Sequence, residues 1–176
     1  DIVRTGSKFK KYKYYSIVRS DGDNMSKIIS QLKNDEEVRS FSKTCLEYCS
    51  DIAHEVKKYG GITVYAGGDD LLAILPCETA DSLTPFDFVE AANGVFRKHF
   101  EPYNQPVSLS FGITMAYLKF PLYEALEDSA NLLFGIAKQG EKNCLAVRLQ
   151  KHSGQSEGLI IPNRNIKDIL GLLNSI

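Results

Sequence analysis

Ile62–Pro76, with the sequence ITVYAGGDDLLAILP, decides the fold. Ile62 to Ala66 and Leu71 to Leu75 are rich in β-branched and aliphatic residues, which favour extended backbone. Between them, Gly67-Gly68-Asp69-Asp70 is short and glycine-rich, the signature of a tight turn. The stretch predicts a β-hairpin, closed by Pro76, whose tip carries two adjacent carboxylates.

Upstream, Phe41, Cys45, Cys49, Ile52 and Val56 recur at three- and four-residue steps. They predict an amphipathic helix of about four turns, stopped at Gly60-Gly61. Met25 to Leu32 reads as a short helix, and Asn34 to Glu37 as a polar break. Tyr14 to Arg19 (YYSIVR) reads as a strand that runs into Ser20-Asp21-Gly22-Asp23-Asn24, a turn and helix-start signal. Downstream, Phe86 to Phe100 reads as a second amphipathic helix and Val107 to Ala116 as a long strand. Leu122, Ala125, Leu126, Leu133 and Ala137 mark a third helix ending near Gly140, and Cys144 to Leu149 a last strand. The order is β-α-β-β-α-β-α-β, whose first six elements form the ferredoxin-like βαββαβ core. The predicted class is α+β, an antiparallel sheet with helices packed on one face. Residues 1–13 read as a basic linker, 14–150 as the domain, and 151–176 as a tail. That tail has a Gly/Ser turn region over 152–158, then a short helix with Ile166, Ile169, Leu170 and Leu173 on one face.

Composition narrows the classes. The 176 residues are 43% apolar and 24% charged, with a net charge of −1. That is a globular domain with a sizeable core and no global field for nucleic acid. The local run Lys8, Lys10, Lys11, Lys13 reads first as a solvated strand entrance. Cys45, Cys49, Cys77 and Cys144 form no CxxC pair, and they read as reduced, mostly buried small residues, as expected of the cytoplasm. No apolar run has the length of a membrane span. The start at Asp1 and the apolar pattern at the end suggest a piece of a longer protein.

Two acidic turns carry the chemistry. One is Asp21-Gly22-Asp23 at the end of the first strand; the other is Gly67-Gly68-Asp69-Asp70 at the hairpin tip. Singly, each reads as an ordinary helix start or hairpin turn. In a ferredoxin-like sheet the first strand lies beside the hairpin, so four carboxylates would crowd one sheet edge. Crowded carboxylates resist ionising together, unless hard dications use their oxygens. Two such ions about 4 Å apart suit an in-line phosphoryl displacement. Gly67 and Gly68 let phosphate or base approach the backbone. Lys138, with Lys142 after it, reads either as a cation at a helix C-terminus or as a phosphate contact. The sequence offers no EF-hand, Walker motif, GxGxxG or zincin pair.

Read in order, YYSIVRSDGDNM, VYAGGDDLLAILP, SLSFGITMAYLKFPLYEALEDSANLLFGIAK and GEKNCLAVRLQKHSGQ resemble one family. It is the palm (GGDD) domain of the large subunit of type III CRISPR effector complexes, with KHSGQ resembling the Cmr branch. The resemblance covers residues 12–155. It extends to GGDEF diguanylate cyclases, although Asp70-Leu71 replaces their Glu-Phe and their inhibitory RxxD is missing. The family joins ATP into cyclic oligoadenylates, second messengers of antiviral defence. The resemblance therefore implies a palm nucleotidyltransferase with ATP as substrate and two Mg²⁺ or Mn²⁺ ions as cofactors. It implies Asp21, the Gly22 carbonyl, Asp69 and Asp70 as metal ligands, with Asp69 and Asp70 catalytic. Asp23, Asn24, Gly67, Gly68, Lys138 and Lys142 would face the nucleotide, with Asp23 alternatively a helix cap. The implied partners are other subunits of an RNA-guided complex, guide and target RNA contacted mostly outside this piece, and a second palm domain, with no membrane.

Three other readings stand beside it. A catalytically silent palm would act as a scaffold or nucleotide-binding module, and an active one would join ATP to a different acceptor. A diguanylate-cyclase-like domain would prefer GTP.

Overall fold

In the computed structural model, residues 14–151 and 153–173 are described. The linker over 1–13, with its basic patch, lies outside them. The chain forms β1 (Tyr14–Asp23), α1 (Met25–Ile29), α2 (Asp35–Lys58), β2 (Ile62–Gly67), β3 (Asp70–Pro76) and α3 (Pro85–Phe100). Then follow β4 (Ser108–Tyr117), α4 (Leu122–Ala130) continuing as a π-helical segment (Asn131–Ala137), β5 (Cys144–Gln150), β6 (Ser156–Pro162) and α5 (Ile166–Leu173).

Local chemistry sets the helix starts. The polar break at Asn34 is a cap: its Oδ1 accepts from the Glu37 N–H at 2.9 Å, and Asp35, Glu36 and Glu37 fill the first turn of α2. Ahead of α3, the Thr84 N–H donates to Asp87 Oδ2 at 2.7 Å, with Pro85 opening the helix.

The strands form one six-stranded sheet in the order β2-β3-β1-β4-β5-β6. Its first four are the ferredoxin-like core, so the α+β expectation holds. Four of the five strand pairs are antiparallel, but β4 and β5 run parallel. The reason is the crossover: α4 and its π-helical continuation carry the chain from the end of β4 back to the start of β5. They also pack on the sheet face opposite α2 and α3. The expectation of helices on one face is thus corrected. β6 is a further departure, since it pairs with β5 from Gln150↔Ser156 to Cys144↔Pro162 and begins inside the expected Gly/Ser turn region.

Alternation along β1 shows the two layers. Val18 joins Tyr48, Phe88, Phe96 and Phe100 in the main core under α2 and α3, while Ile17 packs with Ala116 and Ala125 on the α4 face. Tyr48 meets Phe96 edge-to-face with ring centroids 5.6 Å apart and Phe100 at 5.4 Å. Each such buried aromatic contributes on the order of 1.5–3 kcal/mol. On the α4 face, Gly112 is a packing requirement: a Cβ there would lie 2.4 Å from the Ser129 carbonyl and 2.6 Å from the Leu133 nitrogen. Among the described residues no helix is long and apolar enough to cross a membrane. The cysteines are less buried than expected. They are free, but only Cys144 is buried and the other three are half-buried.

Candidate active site

The hairpin tip is a two-residue turn. Gly67 pairs with Asp70, leaving Gly68 and Asp69 as the central residues. Gly68 has φ +67° and Asp69 does not share a positive φ, the II′ pattern, with open space where a Gly68 side chain would be. The β1–β3 register runs to Ser20↔Leu71, so one further step sets Asp21 beside Asp70, and a second sets Gly22 beside Asp69. A Cβ on Gly22 would meet Asp69 Oδ2 at 2.4 Å. The hairpin acid therefore lies directly over the glycine of the first turn, and the Gly22 N–H donates to its carboxylate. The two turns are brought to one sheet edge, as the topology required.

Lys138 reaches this edge from the end of the π-helical segment. Its Nζ donates to the Gly22 carbonyl at 2.8 Å, pairs with Asp21, and lies 3.8 Å from Asp23 Oδ1. Burial, and next Lys142, pull its pKa down to about 8, while the adjoining Asp21 carboxylate favours the charged form. Burial is also the main cause that raises Asp69, with Asp70 and Asp23 adding to it against the Asp69 and Gly22 N–H groups. Asp70 is raised by burial and pulled back by Arg19, which itself donates to Ser129 Oγ at 3.1 Å.

Asp23 behaves differently from its neighbours. It is fully buried and accepts from Ser108 Oγ at 2.8 Å, from Ser110 Oγ at 2.8 Å and from the Asn143 N–H at 3.0 Å. All three bonds fall on Oδ2, while Oδ1 has the same Ser110 hydroxyl at 3.0 Å and Lys138 Nζ at 3.8 Å, so the carboxylate ties β1 to β4 and to the turn before β5. Asn24 adopts φ +61° ahead of α1, makes no side-chain cap, and instead donates to the Pro106 carbonyl at 3.3 Å. Lys142, also at positive φ, reaches Asn24 Oδ1 at 3.4 Å. Sequence reasoning missed the serines on β4 and Asn143, whose role depends on strand pairing. It also missed Arg19, whose neighbour Asp70 comes from another strand.

The donors fit hard dications in kind: carboxylates and one carbonyl, with a cation already resting on Asp21 and Gly22. As arranged, no three acidic, His or Cys side chains among the described residues stand together around one point. Asp21, the Gly22 carbonyl and Asp69 are the groups that would hold an ion once Lys138 yields its place.

A family model described as Cas10/Cmr2, second palm domain, matches residues 14–146. The CRISPR system Cmr subunit Cmr2 of Pyrococcus furiosus is 32% identical over 172 residues, covering 81% of this chain and 19% of that protein. The chain thus spans less than a fifth of that relative's length. Of solved structures, the apo state of a type III-B Cmr-beta complex matches with TM-score 0.68 at 16% identity, over 94% of this chain and 30% of that one. A Csm1-Csm4 cassette in complex with cA4 matches with TM-score 0.67 at 16% identity, over 91% and 25%. The active GGEEF domain of a diguanylate cyclase from Vibrio cholerae gives 0.56 at 17% identity, over 77% and 83%. The match over 14–146, on a chain whose β1 acid turn folds against its GGDD hairpin, shows the family: this chain is a member of the Cas10/Cmr2 second palm domains.

Proposed function

We propose that this palm binds ATP at the Asp21–Asp69 edge and transfers its nucleotidyl group, joining ATP into cyclic oligoadenylates. The observation that carries the reading is the convergence of the two acidic turns on Gly22, with the Lys138 cation among them. Similar Csm1-Csm4 cassettes are described in complex with cA3, cA4 and pppApA, which supports adenylate chemistry on this fold.

Each residue has a task in this reading. Asp21, the Gly22 carbonyl, Asp69 and Asp70 would hold two Mg²⁺ or Mn²⁺ ions. When bound, these ions neutralise charge on the phosphates and lower the pKa of an attacking hydroxyl, which removes the need for a protein base. The open backbone at Gly68 admits the triphosphate, while Gly67 before it lies under the Tyr65 ring, which bounds that approach. Lys138 moves from Asp21 to the phosphates, and Lys142 with Asn24 lines the same side. Asp23 serves from beneath, fixing β1 so that Asp21 and Gly22 keep their positions. The whole complex, its RNAs and a second palm supply the acceptor and the switch.

A silent palm is the second reading. It is favoured by the Lys138–Asp21 pair, which leaves Asp21 neutralised without any ion. Calorimetry of ATP into this chain with Mn²⁺, with EDTA and with Asp69→Ala separates the two. Nucleotidyl transfer requires Mn²⁺-dependent binding that EDTA and the substitution abolish. A folded protein that binds no ATP with Mn²⁺ supports the silent palm.

A further inference from the structure

Beneath the hairpin acid lie two hydroxyls that nothing outside the pair uses. Tyr48 on α2 is fully buried and Ser20 on β1 is 1% exposed, and Tyr48 Oη and Ser20 Oγ find no hydrogen-bond partner beyond each other. A buried hydroxyl left unpaired costs about 1–3 kcal/mol. Phenylalanine here with alanine at position 20 would fill the same space against Phe96 and Phe100 without burying either hydroxyl. A tyrosine at this position therefore has a use beyond packing.

Its location says what the use is. Ser20 precedes Asp21 and pairs with Leu71, one residue beyond Asp70. Residue 49, next along α2 from Tyr48, places its Sγ 3.7 Å from the Gly68 carbonyl, so this turn of α2 rests against the hairpin tip. The two hydroxyls lie against each other, and after burial the Asp69 carboxylate is the strongest influence raising the Tyr48 phenol above its ordinary range. Asp69 takes N–H bonds from itself and from Gly22, and these do not fill the acceptor sites of a carboxylate.

Resting on the metal-site reading above, we propose that Tyr48 is a positioning residue. Its hydroxyl, oriented by Ser20, is the reserve donor that holds one Asp69 oxygen while the other binds a cation. The residue touches neither substrate nor reacting atoms; it acts through Asp69, as outer partners of metal ligands do.

The test is Tyr48→Phe in this chain, with Ser20→Ala beside it, read by Mn²⁺ calorimetry and by melting in EDTA. The expected result is a split. Tyr48→Phe melts close to the wild-type temperature in EDTA, yet binds Mn²⁺ about 10–100-fold more weakly. Ser20→Ala gives a smaller loss in the same direction. Wild-type affinity in Tyr48→Phe overturns the proposal, whether or not stability falls, because the hydroxyl then serves packing alone. A wild-type chain that binds no Mn²⁺ overturns this proposal together with the metal-site reading. Binding in wild type that survives Tyr48→Phe overturns only this one.

Discussion

At the scale of single residues, the Lys138 cation rests on the Gly22 carbonyl and on Asp21, where the proposed ions would bind. Asp21 and Asp69 announce themselves by turn chemistry, which is local. Lys138, more than a hundred positions away, reads equally well as a helix end, and only the sheet and the crossover helix bring it onto the Gly22 carbonyl. Lys138→Ala would leave Asp21 without its counter-ion in a half-buried setting, so in EDTA it should lower stability by about 1–3 kcal/mol. Added Mn²⁺ should recover most of that loss, since a dication replaces the ammonium; chemical denaturation with and without Mn²⁺ checks both. Asp69 and Asp70 make a pH prediction. Burial raises both, so between the ordinary carboxylate value near 4 and the raised ones the folded chain binds more protons than the unfolded one. Stability of the metal-free protein therefore falls as pH rises through that window and stays lower above it. Asp69→Asn should flatten the fall, while Mn²⁺ stabilisation, which needs the ionised acids, should grow over the same range. Thermal melts across pH, with and without Mn²⁺, read both signs.

At the scale of elements, periodicity found the strands and helices of the core, because each buries one face. It failed where the signal is short or shared. The π-helical segment Asn131–Ala137 continues α4 without a break in the apolar pattern, and seven residues are too few to separate the two periods. β6 begins among Gly and Ser, and its residues up to Ile160 are exposed, so the alternation of a half-buried strand is absent. The π-helical segment matters because it ends at Lys138 and rests on Gly112. A methyl at Gly112 would meet the Ser129 carbonyl and the Leu133 nitrogen, so the crossover helix must shift. Gly112→Ala should cost about 1–3 kcal/mol. By displacing Lys138, it should also weaken ATP binding more than Mn²⁺ binding. Parallel titrations with the two ligands test that order, and equal losses would place the damage in the sheet edge instead.

At the scale of the whole molecule, the chain matches one palm of a much longer relative and covers 19% of it. Order of elements and the two turns sufficed to place it in its family, because topology brings the ends of β1 and β3 together whatever surrounds them. What surrounds them decides turnover. In the proposed reading this chain's one Asp21–Asp69 edge would hold one nucleotide by its phosphates, and joining would need a second ATP whose hydroxyl faces that α-phosphate. The conformational and translational cost of bringing that acceptor in would then fall on a partner palm, and without one the bound ATP would meet acceptors only by diffusion. We expect calorimetry with Mn²⁺ to give one ATP per chain, and chromatography of long incubations to show unreacted ATP. Oligoadenylate should appear when the palm is returned to its complex with target RNA. Stoichiometry of one without product locates the missing chemistry in the acceptor half. Product from the monomeric chain would instead show that both nucleotides fit on this single sheet edge, and the acceptor would then have to be sought near Tyr65 and Phe134, which line a small cavity beside Asp70.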